Sequence, residues 1–191
     1  YGTLWIPETV GKNPVALSAW LLANTQRLNV ATGIMSIYHR EPGVTLAAQN
    51  TLAEQSSGRF LLGIGVSHKP LVEGVRGLNY GPPVATMRHY LDRMAASPYT
   101  GFAPVDSPPT VIAALGPKML ALAAEKCTGA HPYFSSPEHT RMAREVMGPD
   151  AWLCVEQKVI LENEPTKARE LARPVSRIYH QLPNYRNNWL R

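Results

Sequence analysis

The stretch from Leu28 to Lys69 constrains the fold more than any other part of this 191-residue chain. It begins with a short apolar run, Leu28 to Ile34, that includes β-branched Val30, Thr32 and Ile34. A polar break follows with Pro42 at a first helical position, after which Val44, Leu46, Ala47, Leu52 and Ala53 recur at helical spacing. The segment closes at Ser56-Ser57-Gly58, and a second apolar run of strand length extends from Arg59 to Val66. The order predicts strand 28–34, helix 43–55 and strand 59–66, which is one βαβ unit.

A βαβ crossover makes its strands parallel, and their near-continuous apolar character requires cover on both faces, so neither belongs at a sheet edge. Each ends in a small or glycine-rich turn, Thr32-Gly33 and Gly63-Ile64-Gly65-Val66-Ser67-His68. Such turns let a backbone approach a ligand closely. In parallel α/β folds the carboxyl ends of the strands carry the chemistry.

The rest of the chain repeats the alternation. Further strands are predicted at 2–7, 110–115, 128–134 and 152–161, and further helices at 14–26, 86–96, 119–127, 137–147 and 165–172. Segments 74–83 and 97–109, punctuated by glycine and proline, read as loops. Pro174 is expected to interrupt the last helix, and 181–185 to form a polar connector. Six strands alternating with helices mean α/β with a parallel sheet. An eight-stranded (β/α)8 TIM barrel takes about 250 residues. Six units therefore fit a single barrel domain over 1–191 with elements missing at both ends; a doubly wound open sheet is the alternative.

The 19 Lys and Arg residues against 14 Asp and Glu give a net charge of +5 without any run of like charge. That distribution argues for an ordinary solvated surface over a nucleic-acid footprint, while leaving room for a small polyanionic ligand. Cys127 and Cys154 are the only cysteines and lack metal-ligand spacing, which speaks against a disulfide framework and a structural zinc site. No apolar run approaches the length of a membrane span and no signal peptide opens the chain, so the expected setting is cytoplasmic, with no membrane partner.

Chemistry is sought at the strand ends. A nucleophile elbow, a Walker loop and a zinc-protease motif are all absent, and Gly63-x-Gly65 lacks the third glycine of a dinucleotide fingerprint. His68 and His131 follow predicted strands and are candidates for proton transfer or hydrogen bonding; His39 is expected on the same face. His89, His139 and His180 fall on helices and are expected at the surface. Leu115-Gly116-Pro117-Lys118 opens a helix, where free N–H groups, the dipole and the Lys118 charge suit a phosphate. The competing reading is a plain Gly-Pro turn with a solvated lysine. Glu156 and Gln157 are unusual inside the run 152–161.

Four ordered segments, ATGIMSIYHREPGVTLAAQNTLAEQSSGRFLLGIGVSH, AALGPKMLALAAEKCTGAHPY, PEHTRMAREVMGPDAWLCVEQKVIL and LPNYRNNWLR, resemble the luciferase-like monooxygenase superfamily. The likeness is to its branch using the deazaflavin coenzyme F-420. It implies a (β/α)8 barrel with the cofactor across the carboxyl ends of the strands. It also implies a non-prolyl cis peptide at Gly33-Ile34, forming a bulge behind the middle ring. By the same resemblance Val66, Ser67 and His68 contact the cofactor, and Leu115, Gly116, Pro117 and Lys118 hold its tail or phosphate. The family's sugar-phosphate and alcohol dehydrogenases place a histidine where this chain has Thr9, and some carry a glutamate where it has His68. The resemblance implies an oxidoreductase passing hydride between coenzyme F-420 and a small-molecule substrate, with a homodimer as its assembly. It carries over no proton-transfer role, and His68 is the catalytic acid or base candidate by its own position after a strand. An FMN-dependent monooxygenase and a non-catalytic barrel binding a ligand or protein partner are the alternatives.

Overall fold

The computed structural model describes residues 2–102, 104 and 106–190. Positions 103 and 105 of the predicted loop, and 1 and 191 of the predicted domain, lie outside the described residues. The strands are β1 (Thr3–Ile6), β2 (Asn29–Thr32), β3 (Met35–Ser36), β4 (Phe60–Gly65), β5 (Thr110–Ile112), β6 (Gly129–Ala130) and β7 (Trp152–Leu153). The helices are α1 (Pro14–Ala23), α2 (Pro42–Gln55), α3 (Pro83–Ala96), α4 (Pro117–Lys126), α5 (Pro137–Met147), α6 (Pro165–Gln181) and α7 (Pro183–Trp189). Each of these α-helices begins with proline, where its missing N–H is no loss and its fixed φ suits the first turn. Asn13, Glu41 and Ser136 cap α1, α2 and α5 through their side chains.

All strand pairs are parallel, in the order β1-β2-β4-β5-β6-β7, with β3 also on β4. This is a parallel half-barrel, and the βαβ strands sit in its interior as their apolar runs require. Alternate residues divide two cores. Phe60, Leu62 and Ile64 of β4 face the helices and join Val30, Met87 and Leu120, whereas Leu61 faces inward with Ala31, Val111, Trp5 and Cys154. Arg59 fastens the amino end of β4 by donating to the carbonyls of Leu22, Leu28 and Ser56 at 2.9–3.0 Å.

The predicted strand 28–34 is interrupted: Gly33-Ile34 is a cis peptide and the chain resumes as β3. The predicted strand 152–161 shortens to β7, because β6 offers only Gly129 and Ala130 as partners. Among the described residues, nothing pairs with it beyond the bridge Tyr133–Glu156, and Val159 and Leu161 are 76% and 98% exposed. Segment 70–75 is a π-helical turn where a loop beginning at 74 was expected, and α3 starts at Pro83. Helix α6 runs through Pro174, and α7 replaces the predicted connector. No helix among the described residues is long and apolar enough to cross a membrane.

Candidate active site

At the carboxyl end of β2 the backbone is held on both sides of the cis bond. The Gly33 N–H donates to the Ile6 carbonyl at 2.8 Å, and the Glu8 N–H donates to the Ile34 carbonyl at 3.3 Å. Across from it, Thr32 Oγ1 donates to the Gly63 carbonyl at 2.7 Å and accepts from the Gly63 N–H at 2.9 Å. The Ile34 side chain lies against Gly65: a Cβ there would sit 2.7 Å from Ile34 Cδ1 and 3.0 Å from the Ala113 Cβ. Gly65 is thus a seat for Ile34 and Gly63 a close approach to the Thr32 carbonyl, so these two glycines are taken up by the protein's own packing. Gly33 and Ile34 themselves stay partly accessible.

Val66, Ser67 and His68 follow β4 and are partly accessible. Ser67 takes a left-handed φ of 54°, and its carbonyl accepts from Tyr80 Oη at 3.4 Å. The His68 carbonyl caps the turn 70–75 by accepting from the Leu71 and Val72 N–H groups at 3.0 Å. Its ring lies 5.6 Å from that of Tyr185. Burial pushes the His68 pKa below its usual 6.5.

Gly116 heads α4 without a side-chain cap, leaving that end to Lys118, which is exposed. His139, expected at the surface, is buried: its Nε2 donates to the Leu115 carbonyl at 2.8 Å and turns that carbonyl inward. A histidine reaching back from α5 was not visible in the periodicity, because only the packing of α5 against α4 brings it to residue 115.

His131, after β6, is 4% exposed and stacks flat on Trp5, with ring centroids 4.3 Å apart. Its Nδ1 faces the Cys154 carbonyl at 2.7 Å and its Nε2 faces Glu156 Oε2 at 3.2 Å. A Cβ on Gly33 would lie 3.2 Å from that Nε2 and 3.1 Å from the Trp5 ring. The structure therefore brings Gly33, Ile34, His131 and Glu156 together.

The sequence reading missed Glu8. Its side chain is 7% exposed at the end of β1 and takes two bonds from Arg40, at 2.7 and 3.0 Å. It also accepts the Ser36 N–H at 2.8 Å and meets His39 Nδ1 at 3.3 Å. Burial opposes its ionisation, but the Arg40 and Ser36 hydrogen bonds and the charges of Arg40 and His39 win, so its pKa falls below 4.5. Glu8 thus locks the end of β1 to the segment after the bulge, and Thr9 holds Arg76 through its carbonyl. Glu8→Gln removes the charge among donors and is expected to destabilise by about 3 kcal/mol at neutral pH. A group with a depressed pKa contributes stability above its unfolded value and loses it as pH falls through the folded value. The gap between wild type and variant, measured by urea unfolding, should therefore narrow below pH 4.5.

Two surface depressions, of about 390 and 520 Å³, lie against the helices and away from the carboxyl ends of the strands. The first is lined by Leu91, Asp92 and Lys126 and the second by Glu41, Val44 and Arg93. Neither touches Gly33, His68, Lys118 or His131.

A family model described as luciferase-like monooxygenase matches residues 1–190. A protein of Mycobacterium tuberculosis named as a coenzyme F-420-dependent oxidoreductase is 31% identical over 76% of this chain and 50% of its own length. The chain spans about half the length of the curated relatives it matches. Among solved structures, the coenzyme F-420-dependent tetrahydromethanopterin reductase of Methanopyrus kandleri superposes with a TM-score of 0.63 at 20% identity. That match covers 77% of this chain and 52% of the reductase. The oxygenating constituent of 3,6-diketocamphane monooxygenase from Pseudomonas putida, in complex with FMN, gives 0.67 at 16% identity over 90% and 62% of the two chains.

Proposed function

The chain belongs to the luciferase-like monooxygenase family, and from that premise we propose that it supplies the site of an oxidoreductase moving hydride between coenzyme F-420 and a small organic substrate. The observation that carries this reading is the match to a relative whose name states dependence on that coenzyme. The strand ends fit such a group. Partly accessible Gly33, Ile34, Val66, Ser67 and His68 lie along one rim, and Leu115, Gly116, Pro117 and Lys118 form an uncapped, positively charged helix start. The deazaflavin supplies the hydride chemistry when bound; the protein supplies orientation, polarity and proton transfer.

In this assignment Ile34, seated on Gly65, backs the ring, Ser67 offers a polar contact, and Lys118 with the α4 amino end meets the acidic tail. His68, on the cofactor side of the rim, would exchange the proton that the deazaflavin ring itself gains or loses along with hydride. The test is a spectral titration of the protein with coenzyme F-420 and, separately, with FMN. Saturable binding of the deazaflavin in preference to FMN is expected. Preference for FMN moves the protein to the oxygen-using branch, and binding of neither overturns the reading. Lys118→Ala should weaken deazaflavin binding about threefold, as loss of one exposed charge contact does. That loss should shrink at high salt.

A further inference from the structure

We propose that His131 and Glu156 form a proton relay from solvent to the hydride-transfer site beside Gly33. The inference rests on the function proposed above and adds the path of the proton. Both ring nitrogens of His131 face acceptors, the Cys154 carbonyl through Nδ1 and the Glu156 carboxylate through Nε2. A neutral imidazole donates from one nitrogen only, so two acceptors are satisfied together when one further proton is shared between Nε2 and the carboxylate. The pair is built to hold that proton.

The two ends of the pair sit in different surroundings. His131 is 4% exposed, its ring pinned flat on Trp5 and set against Gly33. The Glu156 side chain is 46% exposed. Its backbone is fixed on both sides: its N–H donates to the Pro132 carbonyl at 2.9 Å, and its carbonyl accepts from the Phe134 N–H at 3.0 Å. Tyr133 bridges the backbone of Glu156, and Lys158 stands over the Tyr133 ring at 5.4 Å. One end thus meets water and the other meets the bulge.

The chemistry balances. Were a polarised C=X bond reduced here, the hydride that the bound deazaflavin would supply goes to carbon and the π electron pair moves to X. X takes the proton as the Nε2–H bond breaks. Glu156 then takes a proton from water and restores the shared proton. Oxidation of the substrate runs the same steps in reverse. Glu156 acts through His131 and is a positioning residue.

The test reads the His131 ring nitrogens by 15N NMR in the protein at neutral pH, without and with saturating coenzyme F-420. The expected result is a proton on Nε2 that disappears in Glu156→Gln, whose amide donates to Nε2 instead, and returns in Glu156→Asp. Addition of coenzyme F-420 should shift the Nε2 signal, while Glu156→Gln binds the deazaflavin within threefold of wild type. Glu156 is partly exposed, so the variant keeps the fold, which circular dichroism verifies. A bare Nε2 in the wild type, or one unaltered by Glu156→Gln, overturns the relay. Binding of coenzyme F-420 with no shift at His131 also overturns it while leaving the cofactor assignment standing. Absence of binding overturns both.

Discussion

Gly63→Ala is expected to lower the melting temperature by about 6–12 °C, from a loss of about 3 kcal/mol at roughly 2–4 °C per kcal/mol for a chain of this size. An added Cβ would run into the carbonyl oxygen of Thr32, a backbone atom with no rotamer to change. Gly63 cannot retreat, because both its N–H and its carbonyl are bonded to Thr32 Oγ1. The strain would pass to the Gly33-Ile34 segment. Gly74→Ala is the matched control: a Cβ there meets no atom within 4 Å. It should be neutral or stabilising by under about 1 kcal/mol. Thermal unfolding of the pair gives the answer, and a Gly63→Ala melting point within about 2 °C of wild type would mean that the segment at Thr32 yields.

His68→Ala should reduce turnover by about 10²-fold or more, the usual contribution of a positioned acid or base, with deazaflavin affinity nearly unchanged. The ring is half-buried beside Tyr185, and burial lowers its pKa below 6.5, so at neutral pH it is uncharged and ready to accept a proton. As a base it works in the neutral form. Activity should therefore fall as pH drops through a value below 6.5, and the variant should lose that acid limb. Turnover in the variant equal to wild type would remove His68 from the mechanism.

The places where sequence reasoning failed share a cause. Pro174 lacks an N–H and crowds the preceding turn, which locally favours a break. The distal half of α6 is nonetheless held, because Tyr179 donates no less to packing than to helix: it meets Tyr133, Phe134 and Tyr185 edge-on at 5.0–5.4 Å and accepts a hydrogen bond from Tyr133. The run 152–161 has strand-like composition but, past the bridge at Glu156, no neighbour to pair with. Tertiary contacts outrank local preference in both cases.

The parallel α/β architecture, the proline-led starts of α1, α2, α4, α5 and α6, and the placing of Gly33, Ser67, His68 and Lys118 at strand or helix ends were legible in the chain itself. Hydrophobic periodicity and Gly/Pro punctuation are local signals, and one βαβ unit already dictates parallel strands with their functional ends together. Pairings between residues far apart in sequence were decided by the fold. Ile34 settles on Gly65, Arg40 grips Glu8, His139 turns the Leu115 carbonyl, and Trp5 lies flat on His131. A side chain's spacing tells which face it occupies, whereas the partner across the barrel is set only when neighbouring strands fix their register and bring those faces within reach.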